Sequence, residues 1–433
     1  MTEWIGAAEA ARRLGIKQAS LYSYVSRGVL SRRRSADGRG SLFQVSEVEG
    51  LVRRGRPRRP LGLGEIVIET ELTEITGDHL RYRGFDAIAL AATRSFEEVA
   101  GLLWTGDLGQ TFSAAGWQAT SEAVAAGTAA QSALPAGTLP LERLQVIVPA
   151  MAATDPLRLH LDRPAVLAAG RCLIAGMVEC LPLAGSASDD PSGDGSAGDG
   201  SAGTVGQTTA ERLASRLSAG HTIAERLASR LSGGQLAPGL TDALRAALVL
   251  VADHELAAST FAARVAASVR ADPYAVVATG LGALGGSLHG GASLGAEMLL
   301  GSASKPADAA RVVGDLLRRG ERIPGFGHFV YQGGDPRAVL LLTMIRRAAP
   351  DSDRLAVAEA MLAEARRRAL PEPNIDFALA SLASVAAMIP GAGEAVFAIA
   401  RAAGWLAHAL EEYARNTPIR PRGIYTGPAA VTF

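Results

Sequence analysis

The sequence predicts a mainly α-helical chain preceded by a small basic module. Three observations carry this. Of 433 residues, 48% are hydrophobic but only 5% are aromatic, and the apolar share is rich in Ala and Leu, both strong helix formers. Beyond residue 240, apolar residues recur at helical spacing in segments long enough for helices. The first 60 residues hold 13 Lys and Arg against 5 Asp and Glu, and the remainder holds 30 against 38. The neutral total therefore hides a basic N-terminal segment that could face a polyanion.

The elements follow in order. Residues 7–14 read as a short helix that Gly15 ends. Residues 17–26 read as a second helix, with Leu21 and Val25 on one face, and Gly28 stops it. The arginines from Arg32 to Arg39, followed by Leu42 and Phe43, read as a basic hairpin. Residues 45–51 read as a third helix, and an Arg- and Pro-rich linker follows. This order resembles the winged helix-turn-helix modules of the excisionase and MerR type, here over residues 1–58. The resemblance implies a second helix in the major groove, with Lys17, Arg32, Arg33, Arg34 and Arg39 as candidate DNA contacts. A solvated basic appendage and a protein-contact module are the alternatives.

From residue 61 the chain changes character. Ile66–Leu72 alternates like a strand, and 86–104 reads as one helix. Pro and Gly separate further helices through about residue 182. Residues 184–206 are low in complexity. Next to them, Ala210–Ser218 recurs as Ala224–Ser232, a local duplication rather than a solenoid. The whole of 184–232 is therefore predicted to be an insertion. Helices are predicted over 240–251, 255–270, 272–286, 293–301, 306–318, 336–348, 352–368, 374–387 and 393–414. No apolar run is long enough to span a membrane, and the N-terminus does not read as a secretory signal. Cys172 and Cys180 read as reduced core residues, and the expected location is the cytoplasm.

Three histidines stand in settings suited to chemistry. His254 lies between Asp253 and Glu255. Four glycines surround His289, and Gly325 and Gly327 precede His328. Glycines beside a histidine let backbone and ligand approach it closely. Asp376 has apolar neighbours that could desolvate it, and a helix-start charge favoured by the macrodipole is the alternative. Asp335-Pro336-Arg337 begins a helix, with the proline in its first turn. The spacing of the histidines fits no zinc pattern. A nucleophile elbow and a dinucleotide fingerprint are also missing.

Taken in order, these segments resemble the citrate synthase family. They are Asp253-His-Glu with Ser259-Thr260, Gly-Ser-Leu-His289-Gly-Gly-Ala, Gly-Phe-Gly-His328 with Asp-Pro-Arg337, Asn-Ile-Asp376-Phe, and Arg401-Ala-Ala-Gly-Trp-Leu-Ala-His. The resemblance runs from about residue 61 to 428. It implies a large helical domain over 61–292 and 391–433, and a small one over 293–390 that closes on the oxo acid. It implies Asp376 as general base, His289 as donor to the thioester oxygen, and His328 at the keto oxygen. His254, Arg337 and Arg401 would hold the dicarboxylate. Arg420 would come from the partner subunit of a homodimer with a shared site. No cofactor or metal is implied. The substrates would be oxaloacetate and acetyl-CoA, giving citrate, or propionyl-CoA, giving 2-methylcitrate. A DNA-binding regulator with a synthase-like sensing domain is the competing class.

The chain departs from the family's common pattern at several points. Ser287 stands where Pro is frequent, and Ser293 and Ala257 stand where Asn is. Phe329 and Gln332 replace Arg and Lys after His328, which removes two cations from the usual grip on the CoA phosphates.

Overall fold

The computed structural model describes residues 4–14, 30–34, 41–48, 68–109, 114–184, 221–331, 333–423 and 425–427. The chain divides into two compact units, one of residues 1–69 with 420–433 and the other of residues 70–419.

In the first unit, β1 (Trp4–Gly6), α1 (Ala7–Leu14), β2 (Arg32–Arg34) and β3 (Ser41–Gln44) follow one another. The sheet order is β1-β3-β2, antiparallel, with Ile5 opposite Phe43 and Arg33 opposite Leu42. Ala10, Ala11, Leu30, Phe43 and Val48 form its small core. The expected hairpin is therefore present as β2 and β3, with Arg32 and Arg33 exposed. Strand β1 was not foreseen. The predicted second helix, with Lys17, lies outside the described residues, as does Arg39. Residues 45–48 are helical where the third helix is predicted.

The second unit opens with a meander, β4 (Thr73–Thr76), β5 (His79–Tyr82) and β6 (Phe85–Asp86). The strand predicted over Ile66–Leu72 is thus displaced toward the C-terminus, and Ile66 and Val67 lie outside the described residues. The two-residue turn Gly77-Asp78 sets the register. It places Thr76 opposite His79, and Gly77 has a φ of 60°, as such tight hairpins require.

Helices fill the rest: α2 (Ala87–Thr93), α3 (Phe96–Thr105), α4 (Ser121–Ser132), α5 (Pro140–Ala152), α6 (Arg163–Glu179), α7 (Ile223–Ser232) and α8 (Pro238–Leu250). They continue as α9 (Ala258–Ser268), α10 (Pro273–Leu284), α11 (Gly291–Gly301), α12 (Ala309–Arg318), α13 (Pro336–Ala348), α14 (Asp353–Arg367), α15 (Ile375–Val385) and α16 (Ala392–Arg415). The single helix predicted over 86–104 is two. Ser95 breaks it by capping α3, accepting from Glu98 N at 3.1 Å while Glu98 accepts from Ser95 N at 2.8 Å. That reciprocal pair satisfies two donors a helix start leaves free.

The second copy of the duplicated nonapeptide is not part of an insertion. It forms α7, with Ile223, Leu227 and Leu231 fully buried. Their four-residue spacing gives one apolar face, and Thr222 caps the helix together with Glu225.

Helix α16 runs through the centre and is buried on nearly every side. Close approach is built into it. A β-carbon on Gly280 of α10 would stand 2.6 Å from the Trp405 ring. Beside it lies a buried polar network. Arg264 of α9 pairs with Glu411 and Glu412 and contacts His408. His408 Nε2 lies 3.3 Å from Asp253, which also accepts from Thr73. The network joins α9, α16, β4 and the 251–257 loop.

Truncating a buried leucine costs its transfer free energy plus a cavity. Leu227→Ala should therefore lower stability by about 2–5 kcal/mol. The same change at Leu159, which is 70% exposed, should stay within about 0.5 kcal/mol. Urea unfolding compares the two, and equal midpoints would remove α7 from the core.

Candidate active site

The site is assembled by helix starts and by the loops before them. Asp335 caps α13. Its Oδ1 accepts from Arg337 N at 3.0 Å and from Arg337 Nε at 2.9 Å. Its Oδ2 accepts from Arg337 Nη2 at 2.8 Å and from Ile375 N at 2.9 Å. Burial pushes the Asp335 carboxyl up, but the Arg337 guanidinium outweighs it and holds the group below its ordinary value. Burial disfavours charge on Arg337 too, and Asp335 more than reverses it. Both stay ionised.

Asn374 caps α15, accepting from Asp376 N at 3.0 Å and donating to Gly327 O at 2.9 Å. Asn374 N donates to Gly325 O at 2.9 Å, and Gly327 N donates to Glu372 O at 2.8 Å. These bonds stitch the His328 loop to the start of α15. Gly325 has a φ of 80°, and a β-carbon there would stand 2.8 Å from Phe377. Only glycine fits both demands.

Three rings then meet. His254 Nε2 lies 3.0 Å from the Tyr331 hydroxyl. The His328 ring is centred 5.4 Å from His254 and 4.7 Å from Tyr331. His328 Nδ1 accepts from Val330 N at 3.0 Å and Tyr331 N at 3.3 Å, so the neutral ring carries its proton on Nε2. That nitrogen lies 3.3 Å from Arg337 Nη2. Two donors converge there, an arrangement suited to one ligand oxygen.

His289 is held differently. Its Nε2 lies 2.8 Å from Ser259 Oγ, and its ring meets Phe397 edge-on at 6.0 Å. When Ser259 donates, Nδ1–H is the free donor. Arg401 donates from Nε to Val251 O at 2.8 Å and stacks 4.5 Å over Phe397. Its Nη1 is buried without a partner among the described residues. Burial lowers its pKa to about 10, which leaves it charged near neutrality. The Tyr82 hydroxyl anchors the turn before His254, its single proton facing the carbonyls of Val249, Leu250 and Asp253 at 3.1–3.2 Å.

Asp376 is half-buried in the first turn of α15. Burial raises its pKa to about 6, opposed by Arg337 and reinforced by Asp335. The Ser293 hydroxyl beside it lowers it slightly. Burial first, then nearby arginines, lower His289 and His328 to about 4 and hold His254 well below 6.5. The site therefore offers neutral imidazole donors, two guanidinium groups and one base poised near neutrality.

The structure brings together His254, His289, His328, Arg337, Asp376 and Arg401. Arg420 is exposed and belongs to the other unit, so the cluster as described is built without it. Phe329 and Leu288 are fully exposed at 98% and 102%, and Gln332 lies outside the described residues. Asp335, Tyr331, Phe397 and Glu394 were not among the predicted site residues. The signal for Phe397 was helical spacing: it stands four residues before Arg401, on one face of α16. Among the described residues, no group of three or more His, Cys, Asp or Glu could hold a metal ion, and no helix is long and apolar enough to cross a membrane.

These shifts set opposite pH responses. The buried imidazoles bind fewer protons folded than unfolded between about 4 and 6.5, so they cost stability as pH falls through that window. Asp376 binds more when folded between 3.8 and about 6, so its contribution is present at low pH and lost as pH rises through 6. Imidazole NMR should show His289 and His328 neutral at pH 5.5, each about one unit or more above its midpoint. A titration of either near 6.5 would contradict the buried geometry.

The family described as citrate synthase, C-terminal domain, matches residues 62–422. Citrate synthase 2 of Bacillus subtilis is 39% identical over 199 residues, covering 44% of this chain and 52% of that protein. The chain thus spans about half the length of the first curated relatives it matches. 2-Methylcitrate synthase 1 of Corynebacterium glutamicum is 31% identical over 355 residues, covering 80% of this chain and 89% of that protein. The fold is similar to citrate synthase of Thermoplasma acidophilum, solved with carboxymethyl coenzyme A and oxaloacetate. That likeness has a TM-score of 0.65 at 23% identity, over 85% of this chain and 96% of the other.

Proposed function

Because the chain belongs to the citrate synthase family, we propose that it is an acyltransferase that condenses an acyl-CoA with oxaloacetate and water, giving a tricarboxylic acid and CoA. One observation carries the reading. A carboxylate with its pKa near 6, Asp376, stands in one cluster with neutral His289 and His328 and with two buried arginines. That set suits enolate chemistry, in which charge appears on an oxygen while a weak carbon acid loses its proton.

Asp376 takes a proton from the carbon alpha to the thioester. His289 donates to the thioester oxygen as charge builds there. The new carbon nucleophile attacks the keto carbon, and His328 Nε2–H assists as the keto oxygen becomes a hydroxyl. Water then cleaves the thioester, releasing CoA and the acid. Arg337, Arg401 and His254 hold the carboxylates of the oxo acid. Arg337 is pre-oriented by Asp335, and guanidinium groups pair with carboxylates bidentately. Arg420 would be supplied by the partner subunit of a homodimer, and the 293–390 region would close over the bound oxo acid to exclude water.

The acyl group is acetyl in the first reading and propionyl in the second. The similarity to a 2-methylcitrate synthase over most of the chain keeps the second in play. One methylene separates them, a difference that pocket shape discriminates by only about 1–3 kcal/mol.

Thiol release from acetyl-CoA and propionyl-CoA, each with oxaloacetate, tests the reading. The native protein should release CoA, and Asp376→Asn should lower kcat by roughly 10²–10⁴-fold. Undiminished release in that variant would end the assignment. The base works deprotonated, so kcat/KM should rise with pH and level off above about 6. A profile flat from pH 5 to 7 would exclude Asp376 as the base.

A further inference from the structure

The segment Arg401-Ala-Ala-Gly-Trp-Leu-Ala-His contains two residues that this mechanism leaves unused, Gly404 and His408. They stand three and seven residues beyond Arg401 along α16, so all three lie on one face of the helix. That face meets the 251–254 loop residue by residue. Arg401 Nε donates to Val251 O at 2.8 Å. Gly404 lets the loop in: a β-carbon there would stand 2.5 Å from Asp253 Oδ1 and closer still to Ala252 O. His408 Nε2 lies 3.3 Å from Asp253 Oδ1 and 3.4 Å from Oδ2. The loop is thus laid along the helix in a fixed register, and His254 is its next residue.

His408 is fully buried, and its tautomer follows from its neighbours. Arg264 Nη1 lies 2.5 Å from His408 Nδ1. A guanidinium only donates, so Nδ1 accepts, and the proton of the neutral ring sits on Nε2, toward Asp253. Arg264 is held in turn by Glu411 and Glu412. From the other side, Thr73 Oγ1 donates to Asp253 Oδ2, and the Tyr82 hydroxyl lies 3.1 Å from Asp253 O. Side chains of β4, β5 and α16 therefore grip Asp253, which is fully buried.

Directly beyond His254 the backbone is strained. Glu255 has a φ of 55°, a left-handed conformation uncommon in a residue with a side chain. Such residues persist where the surrounding structure over-determines them. Asp253 supplies that constraint on the near side of His254.

We propose that His408 and Asp253 are positioning residues for the oxo-acid end of the site, holding 251–254 so that His254 and Arg401 meet the same substrate together. The proposal rests on reading that end as an oxo-acid site. Both residues act through the backbone. Arg401 takes its aim from Val251 O, and His254 from the peptide that Asp253 anchors. His289, His328 and Asp376 are carried by other segments, so the thioester end should be indifferent to the pair.

Thiol-release kinetics test this, with oxaloacetate and an acyl-CoA varied in turn, the acyl-CoA being whichever of acetyl-CoA and propionyl-CoA the native enzyme turns over faster. His408→Leu should raise the KM for oxaloacetate about tenfold, since a hydrogen bond to a charged group is lost. The KM for the acyl-CoA should stay within about twofold. His408→Gln, whose amide can donate to Asp253, should recover most of the loss. A purely structural role would lower the melting temperature and leave the oxaloacetate KM where it was. Thr73→Val, isosteric but without the hydroxyl, carries the test if the leucine variant does not fold, and its oxaloacetate KM should rise about threefold. An oxaloacetate KM unmoved in the folded variants, or one that rises in step with the acyl-CoA KM, overturns the proposal. If the native protein releases no thiol, the condensing reading fails, and calorimetric binding of oxaloacetate to the native protein and to Thr73→Val decides the positioning role. Weaker binding by the variant supports it; equal binding, or none to either, overturns it.

Discussion

The site depends on one carboxylate, Asp335, which accepts four N–H bonds from two segments of chain. Three come from Arg337 and one from Ile375, the residue before Asp376. The same group therefore starts α13, aims the arginine and fixes the first turn of α15. Its worth comes from burial. An ion pair at the surface holds little, but removing one partner of a buried pair leaves an uncompensated charge. Arg337 in turn lowers the neighbouring histidines and opposes the rise at Asp376. Burial is the larger cause of each of those shifts, while this contact fixes the geometry and adjusts the protonation.

Around that contact the site keeps its imidazoles neutral and its guanidiniums charged. Burial penalises every ion, yet the arginines have partners that the histidines lack: Asp335 for Arg337, and a carbonyl with an aromatic face for Arg401. The result is a pocket of positive potential in which an oxo dicarboxylate has partners and an imidazole can donate without first being charged. The buried network of Arg264, His408 and Asp253 lies behind it and fixes the loop that carries His254.

Much of this was legible in the sequence, for physical reasons. The later helices have clear periodicity, α8, α10, α13, α14 and α15 with Pro or a capping residue at their starts, and observed bounds fall within a few residues of those predicted. The misses are local. A two-residue glycine turn moved the first strand, and a serine cap split one helix. The His289 and His328 settings were legible because glycine crowding advertises close approach. Glu394 was not, because a carboxylate in the first turn of a helix reads as an ordinary favourable end charge. Only packing shows that it is buried. The expected DNA-reading helix falls outside the described residues, and its contacts stay an expectation.

The groove that takes α7 has a rival within the same chain. Residues 208–218 repeat Thr222–Ser232 at every position but one, with Thr209 where Ile223 stands. Cap, apolar stripe and charges are common to both, so none of them tells the copies apart. Two differences separate them: Ile223 is fully buried, where threonine would bring a hydroxyl into an apolar wall, and Gly233 ends α7 at a φ of 67° where Ala219 follows the first copy. An isoleucine that looks like ordinary filling therefore acts as an address. With threonine in its place, only the left-handed glycine at the end of α7 would still tell one threading of the sequence from the other.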